Sequence, residues 1–278
     1  MSRTRVFTLT LLAMLAFAAN SLLCRVALKH TAIDPASFTL IRVVSGALAL
    51  WLIVRMRDGK KVPAGSWASA LALFVYAAAF SFAYVGLTAA TGALLLFGAV
   101  QTTMIGFGLY RGERFRAQQA MGLACALGGL VGLLLPGLSA PPLQGSALML
   151  AAGMAWGVYS LRAKDSGDPL RVTAGNFLRA VVFAAALSLA MLPWVSLDGA
   201  GVGCAIASGA MASGVGYAIW YTALAGLKVT SAATVQLSVP IIAATGGIVL
   251  LGEPVTLRLV IASTAILGGI ALVIARRQ

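Results

Sequence analysis

Acidic side chains are scarce in this chain. Seven Asp and Glu stand against twenty Lys and Arg, and charged residues make up only 10% of its 278 positions. Soluble domains carry about 25% charged residues. With 60% hydrophobic residues and a mean hydropathy of +0.97, the chain reads as a membrane protein instead. None of the acids Asp34, Asp58, Glu113, Asp165, Asp168, Asp198 and Glu253 falls inside an apolar run, and the single histidine, His30, sits at a run end. An aspartyl intramembrane protease needs paired acids at depth, and a serine type needs a His or Lys there, so both are excluded. No glycine loop followed by Lys and no metal-ligand cluster is present. The three cysteines, Cys24, Cys125 and Cys204, lie scattered in apolar runs and read as small packing residues. The expectation is a non-enzyme with no catalytic residues, no metal and no cofactor.

What the chain does have is ten apolar runs, at 6–28, 36–54, 67–86, 91–110, 117–135, 143–161, 172–193, 201–224, 230–251 and 256–275. A chain of this length has room for roughly ten spans of ~20 residues. Turn chemistry such as Asp34-Pro35, Asp58-Gly59, Gly167-Asp168-Pro169 and Glu253-Pro254 separates the runs. The first run follows Arg3 and Arg5 like a signal peptide, but it continues past Asn20 to Leu28 and so reads as an uncleaved helix. With the N-terminus in the cytoplasm, fifteen Lys and Arg fall in cytoplasmic segments, and only Lys29 and Arg258 fall outside. The excess of inside positive charge places both termini in the cytoplasm. The net charge of +13 is therefore a topology signal. No basic stripe with interleaved aromatics points to nucleic acid.

The chain also repeats itself. Residues 104–113 read MIGFGLYRGE and residues 244–253 read ATGGIVLLGE, 140 positions apart; Gly128-Gly129 meets Gly268-Gly269 at the same offset. Ala16 to Leu22 lines up with Ala155 to Leu161, and Ile41-Arg42 with Leu178-Arg179. The halves are 1–138 and 139–278, with five spans each. An odd number per half inverts the second half relative to the first, a plan that puts a substrate site near the bilayer midplane.

These residues resemble the EamA type of the drug/metabolite transporter superfamily. Its features are a small-aromatic-small stretch ending in Asn or Ser, a Leu-Arg motif, and a Gly-Glu after the fourth helix. Here those are Phe17 to Ser21, Ile41-Arg42 and Gly112-Glu113, then Trp156 to Ser160, Leu178-Arg179 and Gly252-Glu253. Pro240 stands where the family commonly places a proline. The first half has Val100 there, which leaves its fourth helix unkinked. The resemblance covers essentially the whole chain. It implies an all-α fold of ten transmembrane helices in two inverted five-helix repeats. It also implies a multi-pass carrier in the bacterial inner membrane. Length and span count are similar to the aromatic amino acid exporters of the YddG type, so small molecules such as amino acids are the expected substrates. Exporters of other metabolites or drugs, and a non-transporting scaffold, are the alternatives. The oligomeric state stays open.

Polar residues inside spans must find partners where water is absent. Asn20, Gln101 and Gln236 are the bulkiest neutral ones, and helix glue and a cavity role are both open to them. Pro240 cannot donate to the Gln236 carbonyl, which frees that carbonyl and makes Pro240 a candidate hinge, with Ser238 between them. Tyr76, Phe80 and Tyr84 share one face of the third span. Trp156 and Tyr159 lie on the sixth span, Tyr217 and Trp220 on the eighth. These aromatics either pack or stack on a substrate. Trp51, Trp67, Tyr110 and Trp194 fall at interfaces and read as membrane anchors. Arg25, Arg42 and Arg179 lie close enough to span ends to snorkel or to meet a loop acid. Glu113 and Glu253 are expected to cap helices or to pair with Arg114 and Arg258. Gly128 and Gly132 form a GxxxG for close helix contact. With no carboxylate or histidine at the midplane, movement is expected to follow a gradient without proton coupling.

Overall fold

A computed structural model describes residues 2–59, 64–112, 117–137, 140–163, 167–227 and 229–274. Glu113 and Arg114 lie outside the described residues. The helices are α1 (Arg3–His30), α2 (Pro35–Asp58), α3 (Trp67–Tyr84), α4 (Ala89–Tyr110), α5 (Ala117–Leu134), α6 (Leu143–Ala163), α7 (Pro169–Ala190), α8 (Gly199–Ile206), α9 (Gly216–Leu224), α10 (Val229–Gln236), α11 (Ser238–Leu251) and α12 (Leu257–Ile274). A 3-10 turn, Leu192–Trp194, precedes α8, and a π-helical segment, Ala207–Val215, joins α8 to α9. Among the described residues there is no strand. Nine of the helical stretches among the described residues are long and apolar enough to cross a membrane. The other, α6, carries Gln144, Trp156, Tyr159 and Ser160 and packs between α3 and α4, where less of it needs to face lipid.

Capping explains where the helices start. The Asp34 carboxylate accepts from the Ala36 and Ser37 amides, and Asp168 accepts from Leu170 and Arg171; each is followed by a proline at the first helical position. Ser66, Thr88 and Asp198 cap α3, α4 and α8 in the same way.

Two crossings are not the continuous helices that the apolar runs suggest. The eighth turns π-helical over Ala207–Val215, where small residues let α1 and α2 come close: a side chain on Gly209 would collide with the Arg42 carbonyl, and one on Gly214 with Ala49. The ninth breaks at Leu237, between α10 and α11. Pro240 has no N–H for the Gln236 carbonyl, and the Leu237 amide bonds to Thr234 in a tighter turn. With Val100 at the matching place, α4 runs unbroken.

Number the crossings one to ten, with α8–α9 as the eighth, α10–α11 as the ninth and α12 as the tenth. The packing is then nearly unchanged when the two halves are exchanged. The second crossing packs on the seventh, the fourth on the ninth and the fifth on the tenth, each pair antiparallel. The third lies on the sixth as the first lies on the eighth; the third also meets the seventh as the second meets the eighth. The α5–α12 pair is a seam of small residues: a side chain on Gly122 would meet the Gly269 carbonyl at 2.6 Å, and one on Gly129 would meet Ala265 at 2.9 Å. Gly128 and Gly132 face open space, so the close contact uses the neighbouring face of α5 and not the expected GxxxG. Trp51, Trp67, Tyr110 and Trp194 are all exposed on the bundle surface.

Candidate functional site

Aromatic rings from three crossings meet deep in the bundle. Trp156 on α6 stacks on Tyr159 of the same helix, with centroids 5.2 Å apart, and on Tyr217 of α9 at 5.6 Å and 16°. Tyr76 on α3 lies 4.8 Å from Trp156, and Phe80 lies 5.5 Å from Tyr76. Phe177 and Tyr221 extend the cluster around Tyr217. Trp156 is the half-buried member; Tyr76, Tyr159 and Tyr217 are buried.

Two polar chains flank these rings. In one, the Ser208 hydroxyl donates to Asn20 Oδ1 at 2.6 Å, Asn20 Nδ2 donates to the Tyr76 hydroxyl at 3.3 Å, and Arg42 Nη2 donates to the same hydroxyl at 2.9 Å. In the other, Asn176 Nδ2 donates to the Tyr159 hydroxyl, which donates to Thr173 Oγ1, and Thr173 shares a 2.9 Å bond with the Tyr221 hydroxyl. Asn20, Arg42 and Tyr76 sit about 10–15 Å along their helices from the bundle end that carries Asp34, at 1.5 Å rise per residue. That is close to the middle of a ~30 Å hydrocarbon layer.

Arg42 does not snorkel to a surface and meets no loop acid among the described residues. It is 2% exposed, and its guanidinium lies 4.8 Å from the Phe80 ring centroid and 5.3 Å from that of Tyr76. Its Nη1 is buried without a hydrogen-bond partner. The two Asp-Pro caps give a second register beside the match of Ile41-Arg42 with Leu178-Arg179. Counted from Pro35 and Pro169, the eighth positions are Arg42 and Asn176, and Arg179 falls three residues further on. Arg179 is held by the carbonyls of Ala64 and Gly175.

Arg25 is buried too, and its Nε is 2.9 Å from the Glu253 carboxylate. Arg25 Nη1 also bonds the carbonyls of Tyr84 and Val85, while the second Glu253 oxygen accepts from the Ala89 amide. The expected local pair Glu253–Arg258 does not form. Arg258 turns to the Leu135 carbonyl, because the turn at Gly252 sends Glu253 inward towards α1.

Of the sequence candidates, Asn20, Tyr76, Phe80, Trp156, Tyr159 and Tyr217 come together. Phe80 and Tyr84 are fully buried, edge to face at 4.7 Å, and Tyr84 bonds the Ala89 carbonyl beside the Arg25–Glu253 pair. Trp220 reaches the cluster through Phe17, 6.0 Å away, and belongs to a second apolar cluster with Met14, Val239 and Ala243. Gln101, Gln236 and Ser238 have no ring contact or hydrogen bond to the set; Ser238 bonds the Val235 carbonyl. Sequence reasoning missed Ser208, Thr173, Asn176 and the depth of Arg42. Counting seven residues in from Pro35 would have exposed the last. An apolar groove of about 500 Å³ along the α5–α12 seam, lined by Cys125, Thr264 and Leu272, shares none of these residues. Among the described residues no cluster of His, Cys, Asp or Glu could hold a metal.

The sequence pattern of the EamA-like transporter family matches twice, at residues 4–135 and 143–275. A protein of Pseudomonas aeruginosa named as the uncharacterized protein PA1977 is 60% identical over 274 residues, covering 98% of this chain and 96% of its own. A solved crystal structure with 21% identity covers 100% of both chains with a TM-score of 0.68, a likeness of fold alone.

Proposed function

The chain belongs to the EamA-like transporter family, and from that premise we propose that it exports amino acids with aromatic or other apolar side chains across a bacterial inner membrane. The observation that carries this reading is the half-buried Trp156 among Tyr76, Tyr159 and Tyr217 at mid-depth, with hydrogen-bonding groups on both sides. Such a surface offers ring faces to an apolar side chain and polar groups to a backbone-like head. The inner-membrane setting is supported by the split of Lys and Arg between the two loop faces, with both termini on the cytoplasmic side, and by the bacterial relative.

Alternating access between the repeats 1–138 and 139–278 supplies the transport cycle. The break at Leu237 beside Pro240 is a place where the ninth crossing bends. Movement follows the substrate gradient without proton coupling. The Glu253 carboxylate, turned in among the helix ends, is already paired with Arg25. In proteoliposomes, labelled phenylalanine, tyrosine and tryptophan are expected to move saturably and at rates independent of an imposed pH gradient. Severalfold acceleration by the gradient would overturn the uncoupled mechanism. Absence of flux for every amino acid would hand the site to another small metabolite or drug.

A further inference from the structure

We propose that Arg42 is the anion-binding group of the site and takes a carboxylate of the transported molecule, with Asn20 and the Tyr76 hydroxyl beside it; this deepens the transport reading above and rests on it. Three observations carry the assignment.

The first is electrostatic. Arg42 is 2% exposed, and among the described residues no carboxylate lies within ion-pair distance of it. Burying an ion is costly, and an unsatisfied charged donor adds to that cost. The rings of Phe80 and Tyr76 offset only part of it, and the hydroxyl of Tyr76 occupies one N–H. Nη1 stays unpartnered. A carboxylate matches the planar fork of a guanidinium and satisfies such donors in pairs.

The second is the sign of the surrounding groups. The Tyr76 hydroxyl accepts from both Asn20 and Arg42, which uses its two lone pairs and leaves its own proton uncommitted. Asn20 Nδ2 has a second N–H beyond the one given to Tyr76. The cluster therefore presents spare donors, and an incoming acceptor is what it lacks.

The third is asymmetry between the halves. Asn176, at the matching eighth position of α7, is neutral and engaged at both ends, accepting from the Ser66 amide at 2.9 Å and donating to Tyr159 at 3.4 Å. The second half carries its charge at Arg179, which the Ala64 and Gly175 carbonyls hold, and of these two arginines Arg42 alone keeps a buried N–H without an acceptor. Tyr76 touches both the Arg42 guanidinium and the Trp156 ring, so a molecule anchored at Arg42 has the aromatic cluster within reach of its body.

The test is equilibrium binding to the purified full-length protein in detergent. It uses phenylalanine, 3-phenylpropionate, which lacks the ammonium, and phenethylamine, which lacks the carboxylate. Both carboxylates are expected to bind, and phenethylamine about 10- to 100-fold more weakly, the worth of a charge-assisted pair. Arg42→Gln is expected to lose a similar factor for the carboxylates, and Arg42→Lys to recover part of it. Phenethylamine binding as tightly as phenylalanine overturns the assignment while leaving the amino acid reading intact, and so does undiminished binding of phenylalanine by Arg42→Gln. Binding of 3-phenylpropionate but not phenylalanine upholds Arg42 and removes the amino acid reading. No binding of any of the three to the wild-type protein overturns the assignment, and flux then judges the amino acid reading alone. The three-ligand comparison uses wild-type protein, so it stands even if Arg42→Gln fails to fold.

Discussion

Three arginines of similar sequence setting have three different fates, and the differences come from what each can reach. Arg179 finds backbone carbonyls, Arg25 finds Glu253 from 228 positions away, and Arg42 finds only a hydroxyl and two ring faces. Periodicity revealed which aromatics share a face of one helix, Tyr76 with Phe80 and Tyr84, so each span's aromatics were legible separately. It could not reveal partners on other helices, which is why Arg25–Glu253 and Ser208–Asn20 went unread. In the loops, Asp34 shows a titration with a clear sign. Burial alone would raise its carboxyl pKa, but hydrogen bonds from Ser37, Ser196 and Ala36 hold it below the ordinary 3.8. A pKa depressed in the folded state stabilises the fold above 3.8, and that contribution fades as pH falls through the lower folded value. Melting temperature in detergent is therefore expected to drop on acidification below 3.8. Asp34→Asn is expected to melt lower at neutral pH and to lose part of that acid dependence. Identical pH profiles for the two proteins would show that the carboxylate does nothing for the fold.

At the scale of the helix, apolar runs locate crossings well because lipid demands them, and both the caps and the turn residues were readable. Hydropathy does not see how the backbone bonds within a run. The eighth crossing was therefore read as a plain helix, although the small residues Gly209, Gly214 and Gly216 marked it, whereas Pro240 had marked the ninth as a candidate hinge. Pro240→Ala returns an N–H to the Gln236 carbonyl and lets α10 and α11 join. An interior proline costs a helix about 3 kcal/mol, so the variant is expected to melt higher while turning over severalfold more slowly. Flux and melting measured on one preparation check this. Unchanged turnover would mean that the break plays no part in the cycle.

For the molecule as a whole, the internal duplication foretold the exchange of contacts between halves, because a repeat of five crossings enters the membrane the second time in the opposite direction. What it did not foretell is the tie at one end of the bundle, where Arg25 and Glu253 join α1, the α3–α4 turn and the α11–α12 turn. Their side chains are 8% and 9% exposed. Removing one partner leaves a buried charge alone, a loss of about 3–5 kcal/mol. Arg25→Met and Glu253→Leu are each expected to lower the melting temperature markedly, and the double substitution to restore much of it. Additive losses in that cycle would mean that the two residues do not act as a pair.

The seam between α5 and α12 has a consequence for any movement of one half against the other. These two helices pack mainly on each other, and their chief remaining contacts are with α4 and α10. They are also one of the three pairs that the exchange of halves maps onto themselves. A rigid body rocking about a line through such a pair displaces everything except that line. Gly122 and Gly269 then behave like the pin of a door. They stay in contact through the swing, while the rings around Trp156, carried on the leaves, travel the distance.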